Sequence, residues 1–270
     1  PEIVFHLAAQ PLVRAGYADP VATYAVNVMG PVHLLEAVRR CPSVRAVVVV
    51  TTDKCYANRE WIWPYRENDR LGGHDPYSSS KAAAELVTQA YRSAFLAADG
   101  IQIASVRAGN VIGGGDWARD RLIPDVLRAL DAGEAVRLRA PRSIRPWQHV
   151  LEPLAGYLSL AERLQAQEVG MATAWNFGPD PGDVWPVEQV VRRLCERTQG
   201  RWQSDPDPGP RESVRLDLDS TQARTRLGWR PRWSLSQALE RTLDWHQAWR
   251  AGADMQVVTR EQIRDYQSMI

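Results

Sequence analysis

Residues 44–52, VRAVVVVTT, form a continuous run dominated by β-branched residues, and this run decides the fold. Apolar side chains at consecutive positions predict a strand that is covered on both faces, as in a parallel sheet. Residues 3–9, IVFHLAA, and residues 101–107, IQIASVR, predict two further strands. We therefore expect the first part of the chain to contribute at least three strands to a buried sheet.

Helices are predicted between these strands. Residues 20–40 place apolar side chains at helical spacing, and Asp75-Pro76 supplies an N-cap and a first helical position for a helix over residues 76–98. Strands that alternate with helices are joined by right-handed crossovers. The pattern therefore predicts an α/β fold with a doubly wound parallel sheet.

The sequence changes in character after Asn110. It predicts elements at residues 121–132 (helix), 136–139 (strand), 150–167 (helix) and 173–177 (strand), then helices near 186–199, 220–227, 235–249 and 259–267. We expect a first domain of residues 1–112, to which residues 150–180 return. A smaller second domain is expected to comprise residues 113–149 and 181–270.

Composition excludes several classes of partner. A formal net charge of +1 on 270 residues indicates no surface for nucleic acid or for an anionic membrane. No apolar run approaches the roughly 20 residues that span a bilayer, so we expect no membrane segment. The three cysteines have no metal-ligand spacing, and their odd number argues against a disulfide framework. We expect a cytoplasmic protein without a metal site.

Lysine is scarce, because only Lys54 and Lys81 are lysines among 33 basic residues. An ammonium can change its protonation state near neutral pH, whereas a guanidinium cannot, so both lysines are candidates for chemistry. Lys54 belongs to Thr52-Asp53-Lys54, which follows the valine run directly. Open α/β sheets bind their ligands at the carboxyl ends of such strands.

The second candidate motif is Tyr77-Ser-Ser-Ser-Lys81. Four residues apart on a helix, Tyr77 and Lys81 share one face. A nearby ammonium lowers the pKa of a phenol, which makes the tyrosine usable as a base near neutral pH. An ordinary surface pair on a helix is the alternative interpretation. The preceding Thr52 and the scarcity of lysine elsewhere favour the catalytic one.

Seven segments carry a resemblance to a known family: HLAAQPLVR (6–14), DPVATYAVNVMGPVHLLEAVR (19–39), TTDKCY (51–56), YSSSKAAAE (77–85), RAGNVIGGGDWARDRLIPD (107–125), RPWQHVLEPLAGYL (145–158) and LGWRP (227–231). The chain resembles the extended short-chain dehydrogenase/reductases, and among them the CDP-glucose 4,6-dehydratases. The resemblance implies a Rossmann-like fold, NAD as cofactor and CDP-glucose as substrate. Lys54 stands where dTDP-glucose enzymes of this family have glutamate, as in the CDP-glucose enzymes.

The resemblance also implies catalytic roles. Tyr77 would remove the proton of the sugar hydroxyl at carbon 4 while hydride leaves that carbon for NAD. Lys81 would bind the nicotinamide ribose and tune Tyr77, and Thr52 would hydrogen-bond the same hydroxyl. Asp53 is expected to be the acid and Lys54 the base that remove water across carbons 5 and 6. The hydride then returns to carbon 6, so NAD acts catalytically.

Further binding residues follow from the same resemblance. The cofactor side comprises His6, Ala8, Ala9 and Asn27 together with Tyr77 and Lys81. His6 could equally be a satisfied strand residue. Asn27 lies on the apolar face of its helix, and a buried amide needs partners, so we favour a structural role beside the site for it.

The substrate side comprises five positions: Asn110, Leu122, Pro124, Arg145 and Asn176. By resemblance, Asn110, Arg145 and Asn176 would hold the diphosphate and ribose. Leu122 and Pro124 would shape the base pocket. A forked guanidinium suits a diphosphate, although most of the 31 arginines are expected to be surface residues.

The family opens with a strand, a glycine-rich turn and a helix N-terminus that bind the dinucleotide pyrophosphate, and no such motif occurs in these 270 residues. We therefore expect a piece of a longer enzyme that lacks its first two or three β/α units, about 70 residues at ~30 per unit. The resemblance implies a homodimer or homotetramer built on helices 20–40 and 76–98, and a role in deoxysugar synthesis for cell-surface polysaccharide such as O-antigen. The alternatives are another nucleotide-sugar dehydratase or epimerase, or a non-catalytic Rossmann-like remnant.

Overall fold

Nine strands and nine helices, numbered along the chain, form in residues 1–205 and 213–269, the part of the chain that the computed structural model describes. The strands are β1 (Ile3–His6), β2 (Ala46–Val50), β3 (Gln102–Ala108), β4 (Asn110–Ile112), β5 (Val136–Leu138), β6 (Ile144–His149), β7 (Ala174–Phe177), β8 (Val184–Pro186) and β9 (Trp202–Ser204). The helices are α1 (Val13–Ala18), α2 (Pro20–Tyr24), α3 (Gly30–Arg39), α4 (Pro76–Tyr91), α5 (Leu122–Asp131), α6 (Leu151–Gln165), α7 (Val187–Thr198), α8 (Leu235–Arg250) and α9 (Met255–Gln267).

The valine run forms β2 at the interior of a four-stranded sheet with the order β1–β2–β3–β7. All three strand pairs are parallel, with Val47 opposite Val4 on one side and Ile103 on the other. Parallel neighbours require crossover connections, and helices α2 to α4 and α6 supply them. The predicted parallel α/β sheet is confirmed.

Both faces of this sheet are buried, which is why β2 has no polar alternation. Ala46 and Val48 pack in one apolar cluster with Leu160 of α6 and Trp175 of β7. Val47 and Val49 pack in a second cluster on the other face. That second cluster contains Leu35 and Val38 of α3, together with Leu96 and Ile103.

The helix predicted over residues 20–40 consists of α2 and α3 joined by a π-helical turn, Ala25–Met29. Asp19 caps it by accepting a hydrogen bond from the Ala22 backbone N–H. The continuous stretch Pro20–Arg39 is, by length and composition, long and apolar enough to cross a membrane. It therefore differs from the sequence expectation, although buried core helices and signal sequences meet the same criterion.

A second set of strands makes up two smaller sheets. In one, β6 pairs in parallel with β4 and antiparallel with β8. In the other, β5 pairs in parallel with β9. Their core contains Val126 of α5, Val190 and Leu194 of α7, and Ala238 of α8.

The chain divides into two compact units. The first comprises Pro1–Gly109, Leu154–Phe177 and Leu218–Trp229; the second comprises Asn110–Pro153, Gly178–Asp217 and Arg230–Ile270. Residues 218–229 are predicted to lie in the smaller domain, but they belong to the first unit. The reason is their packing, because Ala223, Leu227 and Trp229 lie in the apolar cluster under β2 and β3.

Candidate active site

Thr52, Asp53 and Lys54 form a tight turn at the carboxyl end of β2. Asp53–Cys55 is a single 3₁₀ turn that Thr52 caps, since its Oγ1 accepts a hydrogen bond of 3.4 Å from the Lys54 N–H. The Thr52 hydroxyl donates to Oδ1 of Asp53 at 2.9 Å, and Nζ of Lys54 lies 3.2 Å from the same oxygen. Asp53 is fully buried, and its Oδ2 has no hydrogen-bond partner among the described residues. We call these three residues the acid–base turn.

Tyr77 and Lys81 lie on α4, at its N-terminal end. Asp75 caps this helix by accepting a hydrogen bond of 2.9 Å from the Ser78 N–H, and Pro76 begins it. Both side chains are buried. Lys81 Nζ donates to the backbone oxygen of Val50 at 3.3 Å, so the two predicted motifs meet at the end of β2.

Burial lowers the pKa of Lys81 to about 8, and the nearby Glu85 carboxylate only partly opposes this effect. At neutral pH, the ammonium form still predominates. A charged ammonium on this face of α4 would favour ionisation of a nearby phenol.

The end of β1 contributes His6, followed by Ala8 and Ala9. His6 is half-buried, and burial together with the Lys81 charge lowers its pKa. Its imidazole is therefore neutral at pH 7 and lies within the electrostatic reach of Lys81. Ala8 is exposed and Ala9 is partly exposed, which leaves small side chains open at this end of the strand.

Asn27 has a structural role in this structure. It lies in the π-helical turn and is buried. Its Oδ1 accepts a hydrogen bond from the Gln10 N–H at 2.8 Å, and its Nδ2 donates to the Gln10 carbonyl at 3.0 Å and to Ser80 Oγ at 2.9 Å. The Asn27 side chain thus joins the segment after β1 to Ser80 of α4, which lies between Tyr77 and Lys81 in the sequence. A contact between Asn27 and the cofactor stays a prediction.

Asn176 makes hydrogen bonds with other residues of the protein. It is fully buried in β7, in the first unit. Its Oδ1 accepts from the Tyr56 hydroxyl at 2.7 Å, and its Nδ2 donates to the carbonyls of Tyr65 and Asp219 at 2.8 and 3.1 Å. Both amide hydrogens are occupied inside the protein, where Asn176 holds the segment after the acid–base turn. Its contact with the substrate stays a prediction.

The other predicted substrate residues lie in the second unit. Oδ1 of Asn110, on β4, is buried and has no hydrogen-bond partner within the described ranges, which leaves it available to a ligand. The Arg145 guanidinium is buried and donates to the carbonyls of Ile144 and Ser213 at 2.9 and 2.6 Å, so part of its donor capacity is used internally. Leu122 packs against the core of this unit, and Pro124 is buried in α5. Their nucleotide contacts stay predictions.

A buried ion pair that the sequence does not predict lies next to the acid–base turn. Nη2 of Arg107, on β3, lies 2.7 Å from Oε2 of Glu85, on α4, and both side chains are almost wholly buried. A signal was present, because Glu85 follows Lys81 by four residues on the same helix face. Arg107 gave no comparable signal among 31 arginines.

Comparisons with known proteins agree with this arrangement. Residues 1–242 match the family model for GDP-mannose 4,6 dehydratase. The CDP-glucose 4,6-dehydratase of Salmonella typhimurium strain LT2 is 51% identical over 275 residues, which cover 99% of this chain and 77% of that protein.

Two solved structures share the fold. MoeE5 in complex with UDP-glucuronic acid and NAD has a TM-score of 0.79 at 26% identity, over 91% of this chain and 79% of that one. The dTDP-glucose 4,6-dehydratase DesIV of Streptomyces venezuelae, with NAD and TYD bound, has a TM-score of 0.79 at 24% identity, over 94% of this chain and 75% of that one. The chain therefore belongs to the GDP-mannose 4,6 dehydratase family, within the extended short-chain dehydrogenase/reductases, and is an enzyme of nucleotide-sugar 4,6-dehydration.

Proposed function

We propose that this enzyme converts CDP-glucose to CDP-4-keto-6-deoxyglucose. The observation that carries the proposal is the convergence of two motifs at the carboxyl end of β2, where Lys81 bonds Val50 and the Thr52-Asp53-Lys54 turn follows. One motif suits oxidation at carbon 4, and the other suits elimination across carbons 5 and 6. The cytidine nucleotide is supported by the 51% identity to a CDP-glucose 4,6-dehydratase.

The first proton moves from the carbon 4 hydroxyl to the Tyr77 phenolate, while Thr52 orients that hydroxyl. Lys81 stabilises the phenolate through its positive charge. Bound NAD would supply the redox chemistry that this step and the later reduction at carbon 6 require. The resulting ketone acidifies the hydrogen at carbon 5, which makes the next step possible for a protein base.

The acid–base turn performs the elimination. A proton shift across the 3.2 Å contact between Lys54 and Asp53 gives a neutral amine and a carboxylic acid. Lys54 then takes the proton of carbon 5, and Asp53 gives its proton to the departing carbon 6 hydroxyl, which leaves as water. The pair ends as ammonium and carboxylate, its starting charge state. Reduction at carbon 6 then needs one proton at carbon 5, and Tyr77 must release the one proton that it took from the carbon 4 hydroxyl, so the proton count closes over the whole cycle.

The residues present fit the nicotinamide ribose part of NAD. Lys81 Nζ carries three hydrogens, of which one is donated to Val50, and a ribose diol can accept the others. The half-buried His6 and the small residues Ala8 and Ala9 border the same strand ends. We assign these residues to the cofactor.

The decisive experiment follows deuterium. CDP-glucose deuterated at carbon 4 is incubated with the enzyme and catalytic NAD, beside UDP-, dTDP- and GDP-glucose. We expect the CDP sugar to be turned over fastest, with deuterium at carbon 6 of the product and no stoichiometric NADH. Label that leaves with NADH, or a product epimerised at carbon 4, would overturn the dehydratase assignment.

We propose further that the enzyme is a homodimer or homotetramer. Large apolar side chains lie exposed on α2, the following π-helical turn and α4: Val21, Tyr24, Val26, Met29 and Leu86. The two helices are linked by a hydrogen bond of 2.6 Å between Tyr24 and Ser79. Light scattering should show an oligomer that Val26→Asp and Leu86→Arg together dissociate; a monomeric wild type would refute this.

Three unpaired cysteines, Cys41, Cys55 and Cys195, fit a reducing compartment, and we place the reaction in the cytoplasm. The product would supply deoxysugar synthesis for cell-surface polysaccharide. Fractionation of cells that express the protein tests the location.

A further inference from the structure

A buried polar network surrounds the ion pair between Glu85 and Arg107. Glu85 accepts hydrogen bonds from the hydroxyls of Thr51 and Ser105, the latter at 2.6 Å. Arg107 Nη1 donates to the Tyr56 hydroxyl at 2.7 Å, and its ring contact with Tyr56 is 4.9 Å from guanidinium carbon to centroid. All of these side chains are buried in the first unit.

The network holds the acid–base turn at both of its ends. Thr51, immediately before the turn, bonds the carboxylate of the ion pair, and Tyr56, two residues after Lys54, bonds its guanidinium. Beyond Tyr56, the chain is held by stacking of the Tyr56 and Tyr65 rings at 5.0 Å. Arg107 also donates to the backbone oxygen of Glu67 at 3.0 Å.

The same ion pair is rigidly connected to the other motif. Tyr77, Lys81 and Glu85 are successive positions four residues apart on α4 and therefore share one face. A displacement of Glu85 along or around the helix axis would move Tyr77 and Lys81 with it. One buried pair thus touches the helix of one motif and the flanks of the other.

We propose that the Glu85–Arg107 ion pair is a positioning device that sets the acid–base turn against the Tyr77–Lys81 face of α4, without touching the substrate. The proposal rests on the function proposed above for those two motifs. Oxidation and elimination act on adjacent carbons of one sugar, so the two motifs must keep a fixed separation. A misplacement of about 1 Å can cost roughly 100-fold in rate.

The charges of the pair are maintained by mutual contact. Burial raises the pKa of Glu85, but Arg107 and the hydroxyl donors hold it below its usual value. Burial opposes the charge of Arg107 as well, yet Glu85 raises its pKa. The charge of Lys81 interacts with His6 of β1, with Glu85 of α4 and with Cys55 of the 3₁₀ turn.

Removing one member of a buried ion pair leaves an uncompensated charge and is strongly destabilising. The test therefore removes the hydrogen bonds from Thr51 and Tyr56 to the ion pair and leaves both charged residues in place. Thr51→Val with Tyr56→Phe removes the two hydroxyls that join the pair to the turn. The matched control is Thr88→Val with Tyr157→Phe: Thr88 is a buried threonine of α4 bonded to its own helix, and Tyr157 is a buried tyrosine of α6.

Two readouts are compared. In steady-state turnover of CDP-glucose, the link variant should lose about 10- to 100-fold in kcat with KM within twofold of wild type, whereas the control keeps kcat. The second readout is the NMR spectrum of protein labelled with ¹³Cε-lysine. The chain has two lysines, one in each motif, and the signal that disappears in Lys54→Arg belongs to Lys54. The Lys54 signal should move in the link variant and stay in place in the control.

The outcomes separate the two proposals. If wild type turns over no nucleotide sugar, the proposed function fails, and the lysine signals still test positioning. If the link variant and the control share the same kcat and the same Lys54 signal, the ion pair serves stability alone and the inference is wrong. Glu85→Gln with Arg107→Met removes both charges together and must reproduce the moved Lys54 signal.

Discussion

Nζ of Lys54 lies 3.2 Å from Oδ1 of Asp53, while the second carboxylate oxygen of Asp53 is buried without a partner among the described residues. A buried polar atom without a partner costs stability, and such atoms gather where a ligand completes the bonding. The contact with lysine gives the carboxylate a source of a proton. The Oδ2 atom of Asp53 is available to deliver that proton to a ligand.

Asp53→Asn and Lys54→Ala should each separate elimination from oxidation. Both variants keep Tyr77 and Lys81, so carbon 4 is still oxidised, and the reaction stops there with NADH bound. Product formation should fall by about 10²–10⁴-fold, the usual contribution of a general acid or base. Single-turnover stopped-flow absorbance of NADH measures the stall. Lys54→Ala that forms product at the wild-type rate would remove Lys54 from the mechanism.

Tyr77→Phe should abolish the first step. The variant lacks the phenol oxygen assigned to accept the proton of the carbon 4 hydroxyl, so no NADH signal should develop after mixing with CDP-glucose. Tyr91→Phe, on the same helix but bonded to Glu36, is the control and should leave the trace unchanged. An NADH signal in Tyr77→Phe at the wild-type rate would contradict the assignment of the base.

The pH profile of kcat/KM should fall on the alkaline side near pH 8. Burial lowers the pKa of Lys81 to about 8, so above that pH the ammonium loses its proton and the phenolate loses its nearby positive charge. The profile of kcat/KM reports the titration of groups in the free enzyme. Lys81→Arg keeps a charge at all accessible pH values. Lys81→Arg should lower the rate and abolish the alkaline fall in kcat/KM. If the fall persists in this variant, a group other than Lys81 causes it.

His149 should make the fold sensitive to mild acid. Its Nδ1 accepts a hydrogen bond from the Leu151 N–H at 3.3 Å, and burial, followed by the Arg241 charge, lowers its pKa to about 4. The unfolded chain takes up this proton near pH 6.5, so stability present above that pH is lost as the pH falls toward 4.

The loss reaches about 3 kcal/mol over that range. Urea unfolding of wild type and His149→Gln at several pH values measures it. The difference in free energy of unfolding between the two proteins should narrow by that amount from pH 7 to pH 4. Parallel curves would show that His149 is not buried neutral.

Two helical glycines should respond oppositely to alanine. A Cβ on Gly156 of α6 would overlap the ring of Phe177, whereas a Cβ on Gly30 of α3 meets nothing within 4 Å. Gly156→Ala should lower the free energy of unfolding by about 1–3 kcal/mol through overpacking. Gly30→Ala should raise it by up to about 1 kcal/mol through helix propensity. Urea unfolding checks both, and a stable Gly156→Ala would refute the close packing.

The first sheet could be predicted because each strand is short, apolar and bounded by a helix with a clear start. The β6 strand could not: Pro146 lies within it, and proline argues against an interior strand. Here, the proline stands opposite Val184 of β8, in a sheet of only three strands. The composition of IRPWQH does not predict the strand β6, which forms through its pairing with β4 and β8.

The candidate site divides in the same manner. The acid–base turn and the Tyr77–Lys81 pair could be predicted, since each motif is local in sequence. The internal hydrogen bonds of Asn176 could not be predicted, because they reach Tyr56 and Tyr65, more than 100 residues away in the sequence. No local pattern distinguishes an amide that binds a ligand from one that binds a distant part of its own chain.

The π-helical turn Ala25–Met29 has a consequence for chain length. Such a turn winds one additional residue into a helix whose two ends remain in phase. Deleting Val26 would convert the turn to regular α-helix and keep α2 and α3 aligned, whereas a deletion within α3 would rotate everything after it by about 100°. A deletion of one residue should therefore be tolerated at this turn, provided Asn27 keeps its bonds. A single-residue alignment gap at this position should be read as a change of helical pitch rather than as the loss of a helix.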